Sequence, residues 1–449
     1  MRNFLKVTGS GRSVKPESIK PRVIKPKLSR LTEQQSDHQF SVQVHIIKLL
    51  KCIMAASLFA SLNVNAIDKA PDQWALMSDL VTKSLLVDIT KHGQRIFACG
   101  ERGHIVYSDD DGNSWVQGKV PTVQMITAID FPTAQEGWAV GHDGNIYHST
   151  DGGQNWVIQY DGLAHKAESG KVKLNQTQTI LSEKKKSLAA LQQSLLNADD
   201  KKKAKIESQI ADVKYEIEQT EADVGSYEAE LTNTVEIPWL DVLFRDANYG
   251  LVIGAFGRAM VTADGGKSWT SIKDSISNPD EYHLNSIEGT TDGKLIIGGE
   301  VGTLYSSMDW GKTWKNLESP YDGSFFGLTI DEQTNAILVF GISGALFRST
   351  DLGKSWTHYE LELPNSLNGG IFTANGGATV VGVGGYLLRS NDKGVNMDIE
   401  ILPRRQHMNK VIETATGRQI AVGQGGVFIL PDSNSHKVAA ASDQTTSHQ

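Results

Sequence analysis

The stretch Glu136-Gly137-Trp138-Ala139-Val140-Gly141-His142-Asp143-Gly144-Asn145-Ile146-Tyr147-His148-Ser149-Thr150-Asp151-Gly152-Gly153-Gln154-Asn155-Trp156 joins two apolar runs by a two-residue turn, then closes with an eight-residue turn ending on tryptophan. With Ile126-Thr-Ala-Ile-Asp-Phe before it and Val157-Ile-Gln after it, the unit spells four short strands separated by Gly/Asp turns, an antiparallel meander. The Gly-x-x-Gly turn recurs at Gly100, Gly141, Gly254, Gly299, Gly341, Gly382 and Gly423, at spacings of 41, 113, 45, 42, 41 and 41 residues. A period near 42 marks one supersecondary unit repeated. A single meander cannot bury both faces, but seven stacked radially cover one another. The expectation is an all-β protein, a seven-bladed β-propeller over residues 72–431.

The eight-residue segment follows six of the seven turns, at 108–115, 149–156, 262–269, 307–314, 349–356 and, in a worn copy ending on Met397, 390–397. Its aspartates, Asp110, Asp151, Asp264, Asp309, Asp351 and Asp392, are suited to hydrogen-bond the loop's own backbone. Glycine at the fifth position supplies positive φ, and the tryptophan opens the outer strand and packs between blades. These six aspartates are therefore read as structural.

The signature resembles the Asp box of the bacterial-neuraminidase (BNR) repeat. The longer stretch quoted above, and its counterpart from Tyr249-Gly-Leu-Val-Ile-Gly to Lys267-Ser-Trp, resemble the exported propellers of the photosystem II stability/assembly factor family. The resemblance covers residues 85 to 430 apart from one insertion. It implies a non-catalytic propeller that assists assembly of a membrane protein complex by engaging an extramembrane segment of its client. In photosynthetic members that client belongs to photosystem II; because this chain carries the long insertion, a different membrane client is expected, a transporter among the options.

The insertion is residues 166–234, which account for the 113-residue gap. Ile206, Ile210, Val213, Ile217, Thr220, Val224, Tyr227 and Leu231 follow a 4-3 spacing, while Leu174, Leu181, Leu188, Leu191 and Leu195 mark a second seam interrupted at Thr177 and Lys184. With Asn197-Ala-Asp-Asp as a turn between them, the pattern predicts an antiparallel α-helical coiled-coil hairpin. It leaves the connection between blades 2 and 3, on the face carrying the Gly-x-x-Gly turns. Lysines crowd its tip (Lys184, Lys185, Lys186, Lys201, Lys202, Lys203, Lys205). The hairpin is expected to be a partner-binding or dimerisation arm.

Residues 1–42 read as a basic, disordered extension that comes from a start codon placed too far upstream. Lys48 and Lys51, the apolar run 53–60 and Val64-Asn-Ala66 then read as a signal peptide over 43–66, cleaved after Ala66. Export to a periplasm or a thylakoid-lumen-like compartment follows. Residues 1–66 hold eleven Lys/Arg against three Asp/Glu, so the remainder of a chain whose formal charge is −8 carries −16. An acidic body argues against nucleic acid. Cys99 would be the lone thiol of the mature chain, which leaves stability to packing. The tail 432–449, rich in Ser, Thr, Asn and Gln, reads as disordered. Blade 7 has no Asp box of its own, and Gln73-Trp74 is expected to supply its missing outer strand and close the ring.

Charged and aromatic residues of the turn face, Glu101, Arg102, His104, His142, Asp143, Phe256, Arg258, Glu300, Arg404 and Arg405, match no nucleophile, acid and base set. Of these, Arg102, His104, His142, Phe256, Arg258, Arg404 and Arg405 are the candidate binding residues, the arginines for acidic peptide. No catalytic residue, metal site or cofactor is expected, since histidines are not spaced as ligands and no glycine pair opens a helix. The opposing class is an Asp-box glycoside hydrolase of sialidase type, or a sugar-binding lectin, which would need carboxylates, arginines or an aromatic stack over the central channel.

Overall fold

The computed structural model describes residues 6–8, 73–233 and 235–432. The signal peptide, most of the N-terminal extension and all but the first residue of the tail lie outside them.

Seven antiparallel sheets are arranged as blades, in chain order 86–117, 126–160, 239–271, 284–316, 325–358, 367–401 and 408–429. Each blade runs from an inner strand at the channel to an outer strand at the rim. The inner strands are Leu86–His92, Ile126–Asp130, Trp239–Phe244, Leu284–Gly289, Phe325–Ile330, Leu367–Phe372 and Met408–Glu413. All seven carry a β-bulge after their first residue. The second strands, such as Gly137–Gly141 and Ile337–Gly341, are buried along their whole length because a neighbouring blade covers each face. That explains their uninterrupted apolar sequences. Large side chains fill the wedges between blades: Phe97 of blade 1 stacks on Phe131 of blade 2 at 3.5 Å, and Trp138 of blade 2 on Phe244 of blade 3 at 3.8 Å.

Each Asp box is closed by hydrogen bonds within its own loop. In blade 2, Ser149 Oγ accepts the Gly153 N–H (2.9 Å) and donates to Asp151 Oδ1 (2.9 Å), which also accepts the Asn155 N–H (3.0 Å). Asp151 Oδ2 takes the Asn155 amide at 2.7 Å. The same network is present in blades 1, 3, 4, 5 and 6. These hydrogen bonds lower all six carboxyls; Asp110, held chiefly by Ser114, falls to about 2. In the worn box, Met397 is fully buried in the tryptophan's place, its Cε beside Gly394.

Ring closure departs from expectation. Trp74 is 52% exposed and in no strand. The segment runs instead along blade 1, where Ala75 donates to Val120 O (2.9 Å) and Gln117 bonds both Leu76 O and the Ser78 N–H. The cause lies next to it: the 3₁₀ turn Val81–Lys83 lies against Gly426, at the start of the third strand Gly426–Ile429, and Val81 joins the core between blades 7 and 1. Among the described residues no fourth strand pairs with Gly426–Ile429. Closure falls to side chains. Asn409 Nδ2 donates to Leu86 O (3.0 Å), Arg418 reaches Asp111 O and Asn113 Oδ1 (3.0 and 2.9 Å), and Lys91 bonds Glu413 O. Blade 6, by contrast, gains a fifth strand, Lys6–Thr8, paired antiparallel to its outer edge at Asn396–Ile401.

The hairpin comprises helices α1 (Gly162–Leu196) and α2 (Asp200–Thr232). α1 starts earlier than its leucines suggest because Asp161 caps it, accepting the Ala164 N–H at 2.8 Å. Its 35 residues reach about 50 Å at 1.5 Å per residue. Lys184, which breaks the leucine seam, is satisfied across the hairpin by Thr220 Oγ1 (3.2 Å) and the Glu216 carboxylate (3.3 Å). Among the described residues no helix is long and apolar enough to cross a membrane.

Candidate functional site

The face carrying the Gly-x-x-Gly turns repeats one construction in four of the blades. In blades 1, 3, 4 and 5 the two central turn residues both have positive φ, as in Arg102-Gly103 (58° and 73°) and Val301-Gly302 (50° and 68°), and the turn closes from the fourth N–H to the first carbonyl (2.9–3.2 Å). These are type I′ hairpins. The glycine before each turn lies flat on the start of the inner strand, and a Cβ on Gly341 would sit 2.0 Å from Ser324 O. The turn's next N–H donates to that same carbonyl, Ile342 to Ser324 O at 3.1 Å. The turn face is therefore a rigid rim whose exposed side chains are the second residues of the turns and the links between blades.

The sequence candidates divide on this rim. Arg102, His142, Phe256, Arg404 and Arg405 are exposed, and Arg102, Arg404 and Arg405 make no ion pair among the described residues. Glu101 and Glu300 are occupied with backbone, accepting the Leu85 and His283 N–H groups at 2.9 Å each. Asp143 is buried among Thr122, Tyr147 and the Asn145 N–H. His104 is 4% exposed, its Nδ1 against Ser84 Oγ at 3.1 Å, and burial lowers its pKa; it belongs to the blade, not to a binding surface.

Arg258 also turns inward. Its guanidinium lies 4.0 Å over the Trp239 ring and donates to Ile237 O at 2.7 Å, at the foot of the hairpin. There Gly162 N–H bonds Asn145 Oδ1 (3.0 Å) and Trp239 Nε1 bonds Gly144 O (2.8 Å). These bonds fix the hairpin to the turns of blades 2 and 3. Arg258, Asp143, Tyr160, His165, Lys166 and Glu236 line a cavity of about 180 Å³ at this junction.

The channel holds charges that the repeat pattern hides. Asp88, Asp130, Asp241 and Glu288, from the inner strands of blades 1 to 4, converge with Lys410 from blade 7. Each aspartate accepts a main-chain N–H of the following blade: Asp88 from Ile129 (2.9 Å), Asp130 from Phe244 (2.7 Å), Asp241 from Ile287 (2.8 Å). Lys410 Nζ stands 3.3 Å from Glu288 Oε1. Burial raises Asp130 and Asp241 to about 7, against opposing hydrogen bonds and, for Asp241, the pull of Lys410. Burial disfavours the Lys410 ammonium, but Glu288, Asp88 and Asp241 outweigh it and hold its pKa high. Each charge in isolation sits in an ordinary apolar-alternating strand; the signal in sequence is the charge itself, as in Val87-Asp88-Ile89 or Leu240-Asp241-Val242. Among the described residues no group of three His, Cys, Asp or Glu is arranged to hold a metal ion.

Rim, boxes and hairpin together define the class: a seven-bladed Asp-box propeller with a helical insertion. The sequence model of the family described as photosynthesis system II assembly factor YCF48 matches residues 220–359. Among solved structures, YCF48 bound to D1 peptide superposes with a TM-score of 0.52 at 14% identity, covering 82% of this chain and 99% of that one. YCF48 from Cyanidioschyzon merolae gives 0.51 at 15% identity, covering 79% and 97%. At these identities the likeness shows a shared fold. No curated protein matches the chain.

Proposed function

We propose that this chain is an exported, non-catalytic propeller that holds an extramembrane segment of a membrane protein on its turn face during assembly of a complex. The observation that carries the reading is the rim with three exposed arginines that make no ion pair among the described residues, on a body that is otherwise acidic. The match to the YCF48 family model, and the peptide held by one structural neighbour, support it. Docking rests on shape and charge: the rim is preorganised by the turn hydrogen bonds, so little ordering cost opposes binding. The hairpin, fixed to blades 2 and 3 beside this rim, adds contact area.

Carboxylates at the channel are what the opposing class, a glycoside hydrolase, would need; those present here are engaged within the fold. A catalytic acid must present a proton, and a catalytic base a lone pair, to the substrate; one oxygen of Asp88, Asp130 and Asp241 is instead held by the next blade's main-chain N–H, and Glu288 is turned to Lys410.

The test is crosslinking capture from membranes of the source cell, with the exported chain beside a variant lacking residues 168–232. A membrane protein held by the full chain, and held less by the variant, supports the platform and the hairpin's part in it. Capture of no membrane protein, combined with hydrolysis of a glycoside, would overturn the reading.

A further inference from the structure

The turn face carries an apolar arc that the fold does not need. Val235 at the foot of the hairpin is 64% exposed, Phe256 in the blade 3 turn 50%, Val301 in the blade 4 turn 52%, Ile342 in the blade 5 turn 41%, and Phe326 on the bulge of the blade 5 inner strand 39%. Polar and aromatic links join these positions from blade to blade. Phe256 lies edge-on to His283 (5.0 Å), His283 is bonded to Glu300 of the next turn, Gly302 packs under Tyr321, and Tyr321 Oη reaches Ile342 O.

Two of these residues stand where the backbone disfavours them. Phe256 and Val301 occupy the first central position of type I′ turns, at φ 55° and 50°. Asn, Asp and Gly are preferred there, and a β-branched residue in the left-handed region is a clear outlier. Ser343 fills the same position in blade 5 and Gly384 in blade 6. Val301 thus combines backbone strain with exposure of its apolar surface, and no core cluster includes it. Such positions mark contact surfaces.

The other half of the rim, blades 6, 7 and 1, presents Arg404, Arg405 and Arg102. Building on the platform reading, we infer that the turn face binds one extended polypeptide segment in two parts: apolar side chains on the arc of blades 3 to 5, and carboxylates on the arginines of blades 6, 7 and 1. The charge division fixes the direction of the occupant across the channel mouth. It also excludes a uniformly acidic peptide as the best ligand, because such a peptide leaves the arc in water.

The experiment uses four fluorescein-labelled 12-residue peptides and the full chain, read by fluorescence anisotropy: an apolar block joined to an acidic block, the acidic block with Gly/Ser, the apolar block with a lysine block, and the first composition with its residues interleaved. The two-part peptide is expected to bind tightest. Phe256→Asn and Val301→Asn are each expected to weaken it roughly tenfold, the worth of one desolvated side chain, and to leave binding of the acidic-Gly/Ser peptide unchanged. Both variants place a favoured residue in the turn, so melting temperatures should hold or rise, which separates lost contact from lost fold. Equal affinity of wild type and variants for the two-part peptide would overturn the inference while leaving the platform intact. Binding of none of the four would overturn both. Concentration-dependent dimers in sedimentation that vanish in Val301→Asn would overturn it too, assigning the arc to a second copy of this chain.

Discussion

Lys410→Met tests whether the channel charges hold the ring together. The ammonium lies 3.3 Å from Glu288 and faces Asp88 and Asp241. At an effective dielectric near 20, one such pair is worth ~5 kcal/mol of Coulomb attraction. Partial exposure of both side chains, 24% and 30%, reduces the net loss to about 2–3 kcal/mol at pH 8.5. For a ring of this size that is a fall of roughly 3–4 °C in Tm. The pH dependence is the sharper part. Asp130 and Asp241 have folded pKa values raised to about 7. The folded state therefore keeps their protons between about pH 4 and 7 while the unfolded chain releases them, so the stability they contribute is complete below about pH 4 and lost as pH rises to 7. At pH 5.5 both are neutral, fewer charges miss the ammonium, and the loss in Lys410→Met should shrink to about half. The double variant Lys410→Met, Glu288→Gln should recover part of the loss at pH 8.5. Thermal unfolding of the three proteins at pH 5.5 and 8.5 gives the answer. An equal fall at both pH values with no recovery would refute the argument and assign the effect to the packing of the lysine stem.

Asp309→Ala removes three acceptor bonds of one box and should cost about 1–2 kcal/mol in urea unfolding. Because the six box carboxyls have lowered pKa values, their contribution is present above about pH 4 and disappears as pH falls toward 2, so the wild type should lose stability steeply in that window. Gly341→Ala drives a Cβ to 2.0 Å from Ser324 O and should destabilise by roughly 2–3 kcal/mol, read as a lower urea midpoint at unchanged slope. Arg258→Ala should raise amide exchange at the start of α1 and around Ile237, sparing the blade cores; uniform exchange across the chain would contradict its role as the hairpin's tether.

Where a feature recurred, sequence was enough to read it. The blades, the box motif and the helical hairpin follow from period and residue type, since each blade had to satisfy the same packing. Features made by only one blade were less legible. Trp74 resembles an outer-strand tryptophan, but with no box before it nothing turns it into the wedge, and the 3₁₀ turn beside Gly426 fills the neighbouring space. His104 and Arg258 carry the chemistry of ligands, yet His104 is buried against Ser84 and Arg258 is drawn onto the Trp239 ring and Ile237 O. The channel charges come from different depths of five separate strands, so only the closed ring brings them together. The apolar arc was present in the sequence as the variable residues of the turns; what distinguished it was the sign of φ at Phe256 and Val301.

The three-stranded last blade changes how the ring must be assembled. When a terminal strand completes the last blade, the two ends of the chain are clasped together, and the beginning must wait for the end. Here residues 75–78 lie along blade 1, residues 81–83 lie against the third strand of blade 7, and blade 7 joins blade 1 through the side chains of Asn409, Arg418 and Lys91. Blades can be laid down in the order of synthesis, with the final joint made like a latch. A joint held by side chains without a shared strand is expected to open first, so limited proteolysis should cut first at the boundary between blades 7 and 1.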